Sequence, residues 1–312
     1  MSQISFSLNP VPPFRLDLTV WVLRRRSDNI WDRWDGQTYR RVLVLQGEPT
    51  EVAVSQSGSP AKPKLNVTAT GPRMAPELKP TLSTTLRRML GLQVDLTEFY
   101  RLAMNQTRLK PLVQDLRGLK PTRYPTVFET LVNAISCQQF TLTSGIRMLN
   151  RLVTAYGMAL QGQQGLAHAF PRAEDLAGLE MEPLRNLGFS RQKARALIDL
   201  ARMVTDGRLN LENLASLDDE AALESLNQLR GVGRWTAEYV LLRGLGRVHI
   251  FPGDDVGVRN KLQRWLKIGK PLDYQGVRRI VSRWKPYGGL IYFHLLVNSL
   301  AEEGYVCNQM NP

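Results

Sequence analysis

The chain has 312 residues, of which 43% are hydrophobic and 22% are charged, and its net charge is +13. This composition excludes wholesale disorder, and no stretch approaches the roughly 18–20 apolar residues of a membrane span. Lys and Arg total 41 against 28 Asp and Glu, and such a basic excess favours a polyanionic partner, either nucleic acid or a membrane surface.

The length predicts two domains or one large domain. The N-terminus lacks a basic segment followed by an apolar run, so we expect no secretory signal. The two cysteines, Cys137 and Cys307, are too few for an iron–sulfur cluster or a structural zinc site. Reduced thiols of a cytosolic protein are the expected form, and the three dispersed histidines indicate no metal cluster.

Short alternating or β-branched runs in the first 80 residues predict strands. These runs cover residues 14–22, 41–45, 51–55 and 65–69, with Gly and Pro between them. After Pro80 the periodicity becomes helical, as at residues 128–135 and 193–203. We therefore predict an α+β chain, with a small antiparallel β-sheet domain at residues 1–80 and an all-α domain at residues 81–312.

A tight Gly-x-Gly turn lies between two helical patterns at residues 229–233. Gly231 and Gly233 permit positive φ and close approach of another backbone. The helix that begins at Arg234 presents free N–H groups, which suit a phosphodiester, and Arg230 flanks the turn. A Gly-x-Gly turn alone is weak evidence, since most such turns have no further role.

Trp235, Tyr239 and Leu242 share one face of the helix that follows. Such a stripe is either ordinary core or an aromatic wall for a planar base. Asp254 and Asp255 then precede another helical pattern, which makes one of them a helix cap. A carboxylate there is kept ionised by the helix dipole and can face the sugar cation that forms when a glycosidic bond breaks.

Together these segments resemble the helix-hairpin-helix superfamily of DNA glycosylases, and within it the 3-methyladenine DNA glycosylase II (AlkA) type. The resemblance covers nearly the whole chain. It is carried by the hairpin, by Arg-Trp-Thr-Ala-Glu-Tyr after it, by Pro-Gly-Asp-Asp about twenty residues later, and by residues 12–14, 128–139, 187–194 and 284–287.

The resemblance implies roles for individual residues. Asp255 matches the essential aspartate, and Tyr239 lines the base pocket. Independently of the resemblance, only one of two adjacent side chains at a helix start can point into the pocket, so Asp254 is expected to be mainly structural, as a cap. Trp235 stands where bifunctional relatives place a Schiff-base lysine. The N–H groups around Gly231, Gly233 and Thr236, with Arg234, hold a DNA phosphate, and Gln139 is the wedge that fills the hole left by a flipped nucleotide. The carbonyls that match a Na⁺ or K⁺ site are those of Asn227, Leu229 and Val232.

Two departures from the family affect the pocket. Leu296 and Val297 stand where the AlkA type has a Trp-Tyr pair, and Gly288 and Gly289 stand where it has Arg-Ser. The base pocket is therefore expected to be less aromatic on one wall. Lys193 and Lys261 are expected to lie away from the hairpin, with Lys261 rotated off the helix face of Asp255.

The resulting hypothesis is a monofunctional DNA glycosylase that excises alkylated purines by base flipping in base excision repair. It would act as a monomer on double-stranded DNA with damaged bases, in the cytoplasm, with no membrane partner, required cofactor or iron–sulfur cluster. Two alternatives stay open: a glycosylase of the same fold for oxidised or deaminated purines, and a non-catalytic helix-hairpin-helix DNA-binding protein.

Overall fold

The computed structural model describes residues 1–162 and 164–306. Its strands are β1 (Ser2–Leu8), β2 (Arg33–Trp34), β3 (Thr38–Leu45), β4 (Glu48–Ser57), β5 (Lys64–Gly71), β6 (Ala159–Gly162) and β7 (Gly165–His168). Its α-helices are α1 (Leu16–Arg24), α2 (Lys79–Met89), α3 (Thr97–Met104), α4 (Leu109–Asp115), α5 (Val127–Cys137), α6 (Leu142–Tyr156), α7 (Ala173–Ala177), α8 (Met181–Asn186), α9 (Arg191–Thr205), α10 (Asp219–Asn227), α11 (Arg234–Arg243), α12 (Val256–Leu266), α13 (Tyr274–Val281) and α14 (Gly288–Glu302). Short 3₁₀ helices lie at Pro76–Leu78, Leu211–Ser216 and Ser282–Trp284.

The N-terminal part forms a five-stranded antiparallel sheet in the order β1-β5-β4-β3-β2. Val54 on β4 lies opposite Val67 on β5, and both are buried because alternate side chains of each strand face the core. The strands predicted at residues 41–45, 51–55 and 65–69 are confirmed. β1 and β2 were not predicted.

The strand predicted at residues 14–22 is wrong, because this segment forms the helix α1. Its apolar residues cover two faces of the helix. One face joins the core under the sheet through Leu16, Val20 and Leu23, and the other joins the core around α14 through Leu18 and Val22. Because two faces of α1 are buried, its apolar residues do not follow the single stripe of a half-buried helix, and they alternate with Asp17 and Thr19 as in a strand.

The helical part has two cores. One surrounds α5, α6 and α9, and the other surrounds α3, α12 and α14. The helices predicted at residues 128–135 and 193–203 are confirmed as α5 and α9. The all-α prediction needs one correction, because β6 and β7 form an antiparallel hairpin within this part.

The boundary at residue 80 stays a prediction. The last strand of the large sheet ends at Gly71, but α2, which crosses the boundary, contributes Leu82, Leu86 and Met89 to the core under that sheet. In the part of the chain that the structure describes, no helix is long and apolar enough to cross a membrane.

Candidate active site

A cavity of about 190 Å³ lies where α5, α11, α12 and α14 converge. It contains the three residues predicted to act on the base, Trp235, Tyr239 and Asp255. It adjoins an open groove of about 900 Å³ that is lined by the loop after α5, the start of α11 and the same aspartate. The fold therefore brings together the predicted base wall, the predicted carboxylate and the predicted wedge.

The aromatic wall is formed by one face of α11. The rings of Trp235 and Tyr239 lie 5.6 Å apart between centroids at an angle of 37°, and the Tyr239 hydroxyl lies 3.2 Å from that of Tyr124. Leu242 is buried in the core instead, and Arg243, one helical turn after Tyr239, lines the cavity. Trp235 and Tyr239 therefore line the cavity, whereas Leu242 is part of the core, and their contact with a base stays a prediction.

Asp255 is the N-cap of α12. Its Oδ1 accepts a hydrogen bond from the Val258 N–H at 3.0 Å, and its Oδ2 accepts one from the Tyr292 hydroxyl at 2.9 Å. The carboxylate is thus fixed in direction at the positive end of a helix, where its negative charge is stabilised. Its charge faces the same cavity as the two rings.

Asp254 does not cap the helix, which corrects the capping role expected for it, because Asp255 is the N-cap. Its Oδ2 accepts a hydrogen bond from Arg234 Nε at 2.7 Å, in a half-exposed ion pair. The Arg234 guanidinium also lies 3.9 Å from the ring centroid of Tyr274. Asp254 therefore positions an arginine beside the hairpin.

The loop before the aspartates is held by a buried glutamate. Glu238 on α11 accepts the Gly253 N–H at 3.1 Å and the Tyr274 hydroxyl at 2.5 Å. Burial raises the pKa of Glu238, although both hydrogen bonds lower it. A Cβ at Gly253 would lie 2.9 Å from the Tyr274 ring, so only glycine lets the loop pack this closely and present Asp255 to the cavity.

The predicted wedge residue, Gln139, is exposed in the four-residue loop between α5 and α6 and has φ +56°. The loop is fixed from two sides. Gln138 Nε2 donates to Gly231 O at 2.7 Å and to Thr236 Oγ1 at 2.8 Å. Lys193 Nζ donates to Gln138 O at 2.6 Å. The wedge loop and the hairpin are therefore one connected unit.

The hairpin joins α10 to α11 as predicted. Gly231 has φ +78°, and a Cβ there would lie 3.0 Å from Ala196, so glycine is required. Gly233 differs from the prediction, since its φ is −110° and the space at its Cβ position is open. It is the N-cap of α11 and makes no side-chain capping bond. The Thr236 side chain is buried, so only its N–H group stays a candidate for phosphate binding.

The hairpin cation stays a prediction. Of the three carbonyls, that of Leu229 accepts the Val232 N–H at 3.1 Å and keeps one lone pair for an ion. Within residues 1–162 and 164–306, no group of three or more His, Cys, Asp or Glu side chains could hold a metal ion. Cys137 lines the base cavity and burial raises its pKa, whereas Cys307 lies outside the described residues.

Two residues on α14 replace the aromatic Trp-Tyr pair of the AlkA type. Leu296 lines the cavity, but Val297 is buried in the core. One turn before Leu296, Tyr292 supplies an aromatic ring that the sequence reasoning missed, although the i, i+4 spacing could have revealed it. At Gly289 a Cβ would lie 2.7 Å from two carbonyl oxygens, so the helix start is packed too tightly for a larger residue.

Lys261 also lines this cavity, which contradicts its expected position away from Asp255. The rotation of about 100° per residue applies only within a helix. Asp255 is the N-cap of α12, with ψ 100°, and lies outside the helix, so the rotation does not predict where Lys261 lies relative to it. Lys261 Nζ donates to Ser299 Oγ at 3.0 Å. Arg25 and Asn133 are further cavity residues that no motif indicated.

Comparisons with known proteins agree with this geometry. A family model described as HhH-GPD superfamily base excision DNA repair protein matches residues 132–286. A DNA-3-methyladenine glycosylase of Bacillus subtilis is 29% identical over 210 residues, covering 67% of this chain and 69% of that protein. A putative DNA-3-methyladenine glycosylase of the same organism is 30% identical over 183 residues, covering 59% of this chain. The match spans 62% of that relative's length.

Among solved structures, a 3-methyladenine DNA-glycosylase from Archaeoglobus fulgidus has a TM-score of 0.82 at 26% identity. The match covers 94% of this chain and 98% of that one. The fold and the site define a helix-hairpin-helix protein with a sheet domain at its N-terminus. The chain is similar to the HhH-GPD superfamily of base excision DNA repair proteins.

Proposed function

We propose that this protein is a monofunctional DNA glycosylase that excises alkylated purines of the 3-methyladenine and 7-methylguanine type from double-stranded DNA. One observation carries the proposal: a cavity walled by Trp235 and Tyr239 contains the Asp255 carboxylate and adjoins the groove of Gln139. The names of its relatives, DNA-3-methyladenine glycosylases, support the same substrate class.

DNA binding uses the connected wedge and hairpin. The N–H groups at the start of α11 bind one phosphate, since the N-cap Gly233 leaves them accessible. Gln139 enters the base stack, and the damaged nucleotide rotates out of the duplex into the cavity. The hydrogen bonds from Gln138 to Gly231 and Thr236 hold the wedge loop at a fixed position relative to the bound phosphate.

The chemistry follows from the position of Asp255. Methylation at N3 or N7 makes a purine cationic and therefore a good leaving group, so the base needs little acid catalysis. As the glycosidic bond breaks, positive charge develops on the sugar, and the fixed carboxylate stabilises it and orients the attacking water. Trp235 offers no amine at the position of the Schiff-base lysine, so the product is an intact abasic strand.

We also propose that the enzyme acts as a monomer in the cytoplasm and needs no cofactor for hydrolysis. The +13 charge of the chain supports a duplex DNA partner.

A panel of single-lesion duplex oligonucleotides tests the substrate class. Free 3-methyladenine or 7-methylguanine released by the wild-type protein, with rates far above those of undamaged bases, is the expected result. Release of only 8-oxoguanine would assign the chain to oxidised purines, and tight duplex binding with no release of any base would make it a non-catalytic binding protein.

A further inference from the structure

Two buried side chains in the base cavity have hydrogen-bond donors with nothing to bind. Arg25, at the end of α1, and Asn133, on α5, are 7% and 0% exposed. Arg25 Nη2 donates to Asn133 Oδ1 at 2.6 Å, and Arg25 Nη1 lies 3.4 Å from the Tyr239 hydroxyl. Arg25 Nε and Asn133 Nδ2 are buried without any partner in the described structure. Unpaired buried donors are costly, so this arrangement is typical of a site that awaits acceptors.

The same cavity has an excess of positive charge. Arg25, Arg243 and Lys261 line it, against one carboxylate, Asp255. The Arg25 guanidinium bonds an amide oxygen and a phenol oxygen, both neutral, and arginine stays protonated in proteins. A neutral base with electron-rich acceptors is therefore attracted to the Arg25 side, whereas a cationic base gains nothing from it.

We infer that Arg25, positioned by Asn133, is a specificity-determining residue that binds the acceptor edge of the flipped base. It favours neutral lesions with a keto oxygen beside an unsubstituted ring nitrogen. A guanidinium pairs with this edge through two N–H groups, as arginine does with O6 and N7 of guanine. The inference rests on the proposed function, since the aromatic wall accepts planar bases of either charge.

Arg25 also assists the departure of such a base. When the C1′–N bond of a neutral lesion breaks, the bonding electron pair goes to the base, which leaves as an anion. The negative charge spreads onto the keto oxygen that Arg25 binds, and the base then takes the proton of the water that adds to C1′. A cationic alkylpurine leaves as a neutral base, so it gains nothing from this contact.

Single-turnover release of hypoxanthine and of 7-methylguanine from matched duplexes tests the inference. Hypoxanthine is a neutral 6-oxopurine with an unsubstituted N7, and 7-methylguanine is cationic and lacks a free N7. Arg25→Gln is the first variant. Asn133→Asp is the second, since it places a carboxylate against Arg25 and cancels its charge. Arg26→Gln is the matched control, because Arg26 pairs with Asp28 instead.

Both Arg25→Gln and Asn133→Asp are expected to slow hypoxanthine release about 10-fold or more, while 7-methylguanine release falls less than about 3-fold or rises. Arg26→Gln changes neither rate. Equal losses with both substrates would overturn the inference and assign Arg25 a general structural role. A wild-type protein that releases 7-methylguanine but no hypoxanthine also overturns it and leaves the proposed function intact. Release of neither base contradicts the proposed function itself.

Discussion

The hydroxyl of Tyr292 donates a hydrogen bond to Oδ2 of Asp255 at 2.9 Å, and Asp255 Oδ1 accepts the N–H of Val258. Both oxygens of the carboxylate are thus held by donors from different helices, α14 and α12. Burial raises the pKa of Tyr292 well above its ordinary value, and the charge of Asp255 adds to the effect, so the phenol stays protonated and remains a donor. Tyr292 is a positioning residue for the aspartate.

Replacing Tyr292 with Phe removes this donor and leaves the ring in place. A hydrogen bond to a charged group contributes about 1.5–3 kcal/mol, so we expect single-turnover base release to slow about 10-fold while DNA affinity is unchanged. Tyr100→Phe is the control, because its hydroxyl accepts a buried N–H from Gly118 and it lines neither the cavity nor the groove of the aspartate. It should cost stability and leave the rate unchanged. An unaltered rate in Tyr292→Phe would contradict the positioning role.

DNA affinity is expected to depend steeply on salt and on the open N-terminus of α11. With about five phosphates neutralised, log K falls with log salt at a slope of about −4 to −5. Gly233→Val fills the open space where the phosphate binds and weakens binding to all duplex sequences alike. Gly178→Val is the matched control, since that glycine also has negative φ and open space at its Cβ.

Fluorescence anisotropy with two unrelated duplexes over a salt series measures both effects. An affinity that is insensitive to salt, or equal losses in the Gly233 and Gly178 variants, would contradict phosphate binding at the hairpin.

The reaction is expected to leave the DNA strand uncut. Borohydride trapping on lesion DNA should give no covalent adduct, and nicks should appear only after alkali or an added lyase. Lys261 is the amine to examine in this test, because it lines the cavity of Asp255. A strong adduct that disappears in Lys261→Gln would show a Schiff-base mechanism and contradict the monofunctional assignment.

A buried triad predicts pH-dependent stability. Arg41 on β3 bonds both Asp32 and Glu129, and all three are buried. Burial raises the pKa of Glu129 from 4.5 to about 7 against the opposing effect of Arg41. Because the folded-state pKa is raised, the contribution of the protonated carboxyl to stability is full below about pH 4.5 and is lost as pH rises through about 7.

Glu129→Gln removes this titration. We expect the free energy of unfolding of the variant, relative to wild type, to increase between about pH 5 and about pH 8 by up to about 3 kcal/mol, since one pKa unit corresponds to about 1.4 kcal/mol. Urea unfolding of both proteins at several pH values measures the difference. A difference that stays constant over this range would mean that Glu129 is ionised throughout.

Local patterns predicted most of the fold. The strand β5 and the helix α9 each bury one face, and their periodicity is therefore plain in the sequence. The helix α5 is buried almost all round, but its largest apolar residues still recur at helical spacing. The helix α1 was mistaken for a strand because it is buried on two sides. The hairpin β6–β7 was not predicted because four-residue strands carry little periodicity.

The site was predictable where a motif carried it. The residues Trp235, Tyr239 and Asp255 lie on one continuous segment whose turn and cap signals fix their spacing. Arg25, Asn133 and Tyr292 come from three distant segments, and only tertiary packing brings them to the cavity. The Arg25 bond to Asn133 joins residues 108 positions apart, and no local signal marks such a pair, whereas Tyr292 is marked only by its i, i+4 spacing to Leu296.

The most direct test of the account is single-turnover release of 7-methylguanine by Asp255→Asn, with Asp273→Asn as the matched control. Asp273 caps α13 by accepting the Gly276 N–H at 2.7 Å, as Asp255 caps α12, and asparagine preserves both caps. We predict that Asp255→Asn abolishes base release while folding and DNA affinity are kept, and that Asp273→Asn releases base at the wild-type rate. Undiminished release by Asp255→Asn would contradict the account.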